Sequence, residues 1–314
     1  MLAYVINRTG LAILIVVVAM TLLYGMIHAV PGDPVNVILG PRATPEMKIE
    51  LEQRMGLDKP VVVQLVTFFV NVATGDLGVD VFSNQPVSSL VFEMLPHTLY
   101  LVFAGIIWAI ILGIPMGCYS AIRRNSFMDK FIGIISVGTI AIPSFVVALY
   151  ALLIFAVKLK WLPAIGVGEA GNVQDMILHL ILPAFSVGLS WVGYIARMVR
   201  ASMLEVLGEN HIRTVKAFGL PQRMITYRYA LRLAILPTIT ILGVGIGRMI
   251  SSAVFAEIVF ARPGIGKLIY DAVVSRNYPV VMGSVLISTI LFVAATTIAD
   301  FIAAMFDPRI RKNL

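Results

Sequence analysis

Long uncharged apolar runs alternate along this chain with shorter stretches that carry nearly all of its charge. A helix that crosses a bilayer needs about 20 consecutive apolar residues. Six stretches reach that length: Thr9–Val30, Thr98–Ile122, Phe131–Val157, and roughly Ile177–Ala196, Leu233–Ala256 and Val280–Met305. The fifth carries a single charge, Arg248, and the sixth a single charge, Asp300. No series of short alternating segments suggests a β-barrel. Lipid offers no hydrogen-bond partners, so the runs are expected to be helices. The prediction is an all-α membrane protein with six transmembrane helices. The first run exceeds the about 7–15 residues of a signal-peptide core. It is followed by His28-Ala29-Val30-Pro31 rather than a small-x-small cleavage site, and it reads as a retained helix.

The intervals set the organisation. Residues 1–30 form the N-terminal end and first helix, and 31–97 a long loop region. A core over 98–305 holds helices at about 98–122, 131–157, 177–196, 233–256 and 280–305, interrupted by a long loop at 197–232. Residues 306–314 form a tail. One side of the membrane collects the N-terminus, 123–130, 197–232 and 306–314, with 14 basic against 4 acidic residues. The other collects 31–97, 158–176 and 257–279, with 9 basic against 12 acidic. The basic side is expected to be the cytoplasm. Both termini then lie there, and 31–97 is extracytoplasmic. Within 31–97, Thr44-Pro45-Glu46 has the order of an N-cap, a proline at N1 and an acidic first turn. That predicts a short helix over Pro45–Met55. The 197–232 loop is basic and breaks at Gly219-Leu220-Pro221.

Composition narrows the class. Hydrophobic residues make up 59% of the chain and charged residues 13%, about half the ~25% of a soluble domain. Mean hydropathy is +0.93. Disorder and an ordinary cytosolic enzyme are both excluded. The net charge of +7 reflects cytoplasmic loops rather than a nucleic-acid surface. Cys118 is the one cysteine, so neither an internal disulfide nor a cysteine metal cluster is possible.

No enzyme chemistry emerges. Gly264-Ile265-Gly266-Lys267 approaches a phosphate-binding loop, but Leu268 replaces the hydroxyl residue and the upstream glycine is missing. Gly166, Gly168 and Gly171 have dinucleotide-fingerprint spacing without its strand-to-helix context, and read as a flexible turn. Gly243, Gly245 and Gly247 lie in the fifth run and predict close helix approach or a kink. The histidines have no metal-ligand spacing with a second histidine or a cysteine. Asn7-Arg8-Thr9 fits a glycosylation sequon on the wrong side of the membrane. No catalytic residue, metal or cofactor is expected. Intramembrane charges are functional-site candidates. Arg248 is expected about 13 Å inside the outer face and Asp300 about 30 Å inside it, too different in depth to pair. Arg248, with Ser251 and Ser252 on the same run, either lines a solute path or serves a structural pairing.

Arg213-Thr214-Val215-Lys216-Ala217-Phe218-Gly219-Leu220 resembles the R-T-A-[RK]-A-K-G-L loop of peptide-type ABC importer permeases. PGDP at 31–34, GLDKP at 56–60, GDLG at 75–78 and LPHTLYL at 95–101 are similar to further motifs of that family. So are Glu257-Ile258-Val259-Phe260 with Pro263-Gly264-Ile265-Gly266, Tyr278-Pro279-Val280, and Asp307-Pro308-Arg309-Ile310-Arg311. Val215, Phe218 and Tyr229 depart from the alanine, lysine and histidine often found there, which bears on the details of partner docking. Pro237 arrives later than in the general loop pattern, a spacing typical of the peptide-type branch. The resemblance covers essentially the whole chain. It implies the type I ABC importer transmembrane fold in a bacterial cytoplasmic (inner) membrane. It also implies a second homologous permease subunit, two ATPase subunits that hydrolyse ATP, and a soluble solute-binding protein. Arg213, Thr214, Lys216, Ala217 and Gly219 would belong to a coupling helix seated on an ATPase. The implied cargo is an oligopeptide or dipeptide. Nickel chelates, glutathione or oligosaccharides are the alternatives for the same transporter type. A self-sufficient channel or ion-coupled carrier is a third reading, for which no inverted repeat speaks.

Overall fold

The structure, a computed structural model, describes residues 2–41 and 43–306. Its helices in chain order are α1 (Leu2–Ala29), α2 (Pro34–Leu39), α3 (Pro45–Met55), α4 (Val61–Ala73), α5 (Val87–Ile122), α6 (Phe127–Ala141), α7 (Ser144–Ala151), α8 (Val173–Gly208), α9 (Asn210–Ala217), α10 (Gln222–Met224), α11 (Leu231–Ala234), α12 (Leu236–Val259), α13 (Ile265–Val274) and α14 (Tyr278–Phe306). π-helical turns follow α7 at Leu152–Lys158 and α10 at Ile225–Ala230. Among the described residues there is no strand, only an isolated bridge between Val79 and Pro86. Among the described residues four helices are long and apolar enough to cross a membrane, or up to six spans if each bent pair is one.

The chain forms two compact units, residues 1–98 with 263–293, and residues 99–262 with 294–314. In the first, α3 follows the local signals closely. Thr44 accepts from the Met47 N–H at 3.3 Å. At the other end Gly56 turns left-handed and Leu57 N–H reaches back to Glu52 O at 2.9 Å, a Schellman closure that satisfies the last carbonyls. Two apolar clusters hold this unit. Val87 and Val91 of α5 pack with Ile265 and Ala272 of α13 and with Val280 and Val281 of α14. Met20 and Tyr24 of α1 pack with Met282 and Leu286 of α14 and with Leu65, Phe68 and Phe69 of α4. Between α4 and α5 the buried Asp80 organises a tight loop. It accepts from Ser83 N–H at 2.9 Å, Phe82 N–H at 3.3 Å, the Ser83 hydroxyl and the Asn277 amide.

In the second unit α8 is the central rod, packed against α6, α7, α11 and α12. Small residues let backbones approach, the usual device where lipid supplies no hydrophobic drive between helices. A Cβ on Gly188 would sit 2.5 Å from Gly105 O, and one on Gly117 would sit 2.5 Å from Ala196 O. Gly243 and Gly245 are likewise pressed against Ala299 and the Trp191 ring, and α12 bends 47° between them. The third apolar run is broken rather than straight. α6 stops at Ala141, Pro143 cannot continue it, and the pair formed with α7 and its π turn is bent by 101°.

Candidate functional site

The 197–232 interval is mostly helix. α8 continues through its first twelve residues to Gly208, and α9 follows after Glu209. α9 has one apolar anchor, Ile212, fully buried, with Val215 half-buried beside it. The buried Ile225 and Thr226 of the second π turn lie in the element against which α9 packs. Arg213, Thr214, Lys216 and Ala217 are exposed, and Phe218 is 79% exposed at the helix end. Thr214 turns its hydroxyl back to Asn210 O at 3.1 Å, so its methyl and the two cations form the free face. His211 Nδ1 and Glu209 lie 2.9 Å apart. Gly219 closes the helix with φ +75° and its N–H on Lys216 O at 3.0 Å. No heavy atom lies within 4 Å of a Cβ placed there. The left-handed backbone, not crowding, is what calls for glycine at that point.

Two turns before the end of α8, Arg200 forks onto Asp129 at the start of α6. Nε donates at 2.7 Å and Nη2 at 2.9 Å. Asp129 also accepts from Asn125 N–H at 2.9 Å and from the Ser120 hydroxyl of α5. One carboxylate, 6% exposed, therefore ties α5, α6 and α8 together. The sequence reading counts Asp129 and Arg200 only as loop charges. The signal was the lone acid among Arg123, Arg124 and Lys130, capped by Ser126, whose hydroxyl accepts from Asp129 N–H at 3.2 Å.

A second group lies on α12. Arg248 and Ser251 are exposed on one face, and Ser252 is half-buried with its hydroxyl on Met249 O at 3.0 Å. One turn further, Phe255 meets Phe145 of α7 with ring centroids 5.8 Å apart. The face of α12 that carries Arg248 and Ser251 thus meets, at Phe255, the segment that follows Pro143. The Asp300 side chain and the Asp307–Arg311 motif lie outside the described residues.

At the other end of α12 the buried Arg262 donates to Gly166 O and to His179 O, each at 3.3 Å. Pro183 lies inside α8 and has no N–H to offer the carbonyl four residues back. That carbonyl is His179 O, and the Arg262 guanidinium supplies the missing donor. Burial pulls this guanidinium below its ordinary pKa, with the nearby Glu257 charge opposing. Among the described residues no three His, Cys, Asp or Glu side chains gather as metal ligands.

Comparison with known proteins bears on the chain as a whole. Residues 113–312 match the family described as binding-protein-dependent transport system inner membrane component, and residues 1–102 match that system's membrane component N-terminal region. The dipeptide transport system permease protein of Alkalihalophilus pseudofirmus is 35% identical over 99% of this chain and 100% of its own length. The oligopeptide transport system permease protein of Bacillus subtilis is 36% identical over 99% of each. The glutathione transport system permease protein of Escherichia coli K12 is 32% identical over 99% of each. Among solved structures, an inward-facing MetNI methionine ABC transporter matches with a TM-score of 0.59 and 18% identity, over 70% of this chain and 97% of the other. That likeness carries the fold.

Proposed function

The chain belongs to the inner-membrane components of binding-protein-dependent transport systems, and from that membership we propose that it forms part of the membrane pathway of an ATP-driven importer of dipeptides or oligopeptides. The cargo reading rests on a dipeptide and an oligopeptide transport system permease that match this chain along essentially their full length. Glutathione, the cargo of another relative, is a modified tripeptide and keeps the same chemical class. A soluble binding protein delivers the solute from outside, a second permease completes the pathway, and two ATPase subunits dock in the cytoplasm, where both termini of this chain lie.

The observation that carries the mechanical part is the design of α9. A short helix held by Ile212 and the π turn below it leaves Arg213, Thr214, Lys216, Ala217 and Phe218 free. A helix anchored on one side and presenting cations, a methyl and an aromatic ring on the other suits a groove on a partner protein. When the ATPases close on ATP they carry α9 with them. The Arg200–Asp129 fork passes that displacement from α8 to α6 and α5, because a bidentate charged pair resists rotation better than a single bond. The pathway then switches between two discrete packings. Arg248 and Ser251 on the open face of α12 line the route, and the fixed charge attracts the C-terminal carboxylate of a peptide.

The test is uptake of labelled di- and tripeptides into vesicles holding the complex that co-purifies with this chain. Peptide-stimulated ATP hydrolysis with uptake supports the reading. A complex that takes up a different solute class overturns the cargo, and a chain that isolates without ATPase subunits overturns the mechanism.

A further inference from the structure

α4 has three faces with three different surroundings. Leu65, Phe68, Phe69 and Val72 pack against Met20 and Tyr24 of α1 and Met282 and Leu286 of α14. Gln64 and Asn71 face a cavity of about 400 Å³ that Tyr24, Arg54 and Tyr278 also line. Gln64 is fixed there by the Tyr24 hydroxyl and by its own donation to Lys59 O at 2.7 Å. The third face is a row of valines, one per turn: Val62, Val66 and Val70 are 72%, 56% and 58% exposed.

Among the described residues nothing covers this row, and its position says what does. α4 is 13 residues long, about 20 Å at 1.5 Å per residue, and cannot cross a hydrocarbon core of about 30 Å. It packs on α1 at Met20 and Tyr24, which lie about 16 and 22 Å along the helix from Thr9, the start of the apolar stretch. That is the outer part of the span. The exposed Leu22 and Met26 of α1 belong to the same level. No charged residue occurs from Pro60 to Gly75, while Asp58 and Lys59 flank one end and Asp76 the other. α4, a helix with no charge of its own, an exposed apolar row and a polar row, is too short to span the bilayer and too apolar to leave that row in water.

We propose that α4 is embedded in the lipid leaflet beside the outer end of α1, with Val62, Val66 and Val70 among the acyl chains and Gln64 and Asn71 turned to the water-filled cavity. The 31–97 region is then not a freely solvated loop. It is pinned to the bilayer at its midpoint, which fixes α3 and the cavity at the membrane surface. The proposal rests on α1 being a membrane span, not on the identity of the cargo.

The experiment is site-directed spin labelling of the full-length chain, together with the subunits that co-purify with it, in phosphatidylethanolamine–phosphatidylglycerol vesicles. Cys118→Ala provides the background. Single cysteines are introduced as Val62→Cys, Val66→Cys, Val70→Cys, Gln64→Cys and Asn71→Cys, with Leu22→Cys as the lipid-facing control. Collisions with oxygen report lipid, and collisions with a water-soluble nickel chelate report water. The labels at 62, 66 and 70 should favour oxygen as the control does, at a depth of about 5–10 Å below the headgroup boundary. Those at 64 and 71 should favour the chelate. Chelate access at 62, 66 and 70 would overturn the proposal in favour of an open surface. Access by neither reagent would overturn it in favour of a protein partner. A control at 22 that also favours the chelate would sink the assignment of α1 as a span as well, so the two failures are distinguishable.

Discussion

Removing Arg200 should cost more than removing its partner. In Arg200→Gln the Asp129 carboxylate stays at 6% exposure and keeps only the Ser120 hydroxyl and the Asn125 N–H at 2.9 Å. Breaking a buried pair by deleting one member costs about 3–5 kcal/mol when the remaining charge is uncompensated. Here two neutral donors remain and the guanidinium was itself 33% exposed, so about 2–3 kcal/mol is the reasoned loss. In Asp129→Asn the stranded group is that half-wet guanidinium, which can hydrate. About 1–2 kcal/mol is then expected. The double variant strands no charge and should lie above the sum of the singles by a coupling energy of about 0.5–3 kcal/mol.

The assay is reversible loss of helix in mixed micelles as the denaturing detergent fraction rises, followed for the four proteins of the cycle. The asymmetry is the decisive reading. If Arg200→Gln costs no more than Asp129→Asn, or the two effects simply add, Asp129 is not a desolvated carboxylate held by Arg200, and the three-helix tie is wrong. A companion measurement separates stability from coupling. At a temperature where Arg200→Gln remains folded, ATP hydrolysis by the assembled complex should respond less to solute than in the wild type.

Three further outcomes are expected. Gly219→Ala adopts φ +75° at a cost of about 1–2 kcal/mol, and Gly219→Asn at less; uptake should therefore rank Gly above Asn above Ala, and equal uptake by Asn and Ala refutes the backbone explanation. Gly117→Val drives branched carbons into Ala196 O and Val199 and should lower stability by about 1–3 kcal/mol, measured by the same detergent titration, with Gly10→Val, where nothing lies within 4 Å, as the neutral control. Asp80 is pushed up by burial, but Ser83, Asn277 and the Phe82 N–H outweigh this and hold it below the ordinary carboxylate value; its contribution is complete above the unfolded pKa of about 3.9 and fades as pH falls through the lower folded value. The protection of residues 80–84 against hydrogen exchange, relative to the intrinsic rate at each pH, should fall in that acid window, and an Asp80→Asn protein should show no such pH step.

Most of the architecture was legible because lipid constrains a chain more simply than water does. Length of apolar run predicts a span, and the family motifs supplied the order. Thr44, Pro45 and Gly56 placed α3 to the residue, since caps act locally. Three features were not legible, each because it depends on a partner distant in sequence. Pro143 is a visible breaker, but whether it kinks a span or folds it over depends on what α7 packs against, and the bend is 101°. Pro183 is an equal breaker by sequence, yet α8 runs through it from Val173 to Gly208 because Arg262, 79 positions later in the chain, supplies a donor for His179 O. Asp129 counted only as a charge in a basic loop, where Ser126 caps α6, and its larger task is set by Arg200, 71 positions later.

The polar residues of this apolar chain are therefore its most informative part, and they divide by whether their partners lie inside it. Asp129 with Arg200, Arg262 with His179 O, and Asp80 with Asn277 are closed arrangements, and the second replaces the hydrogen bond that Pro183 takes away. Arg213, Lys216 and Arg248 are a different kind, exposed side chains in a molecule that otherwise avoids charge. Within a membrane span a cation such as Arg248 is costly unless something compensates it, whereas Arg213 and Lys216 lie outside the spans. On the proposed function, an ATPase surface would meet the α9 pair and a solute carboxylate would meet Arg248. Arg248→Ala should accordingly reduce peptide uptake per molecule while leaving membrane insertion and the detergent titration unchanged. An equal loss of stability and uptake would instead make Arg248 a structural cation of the assembled permease pair.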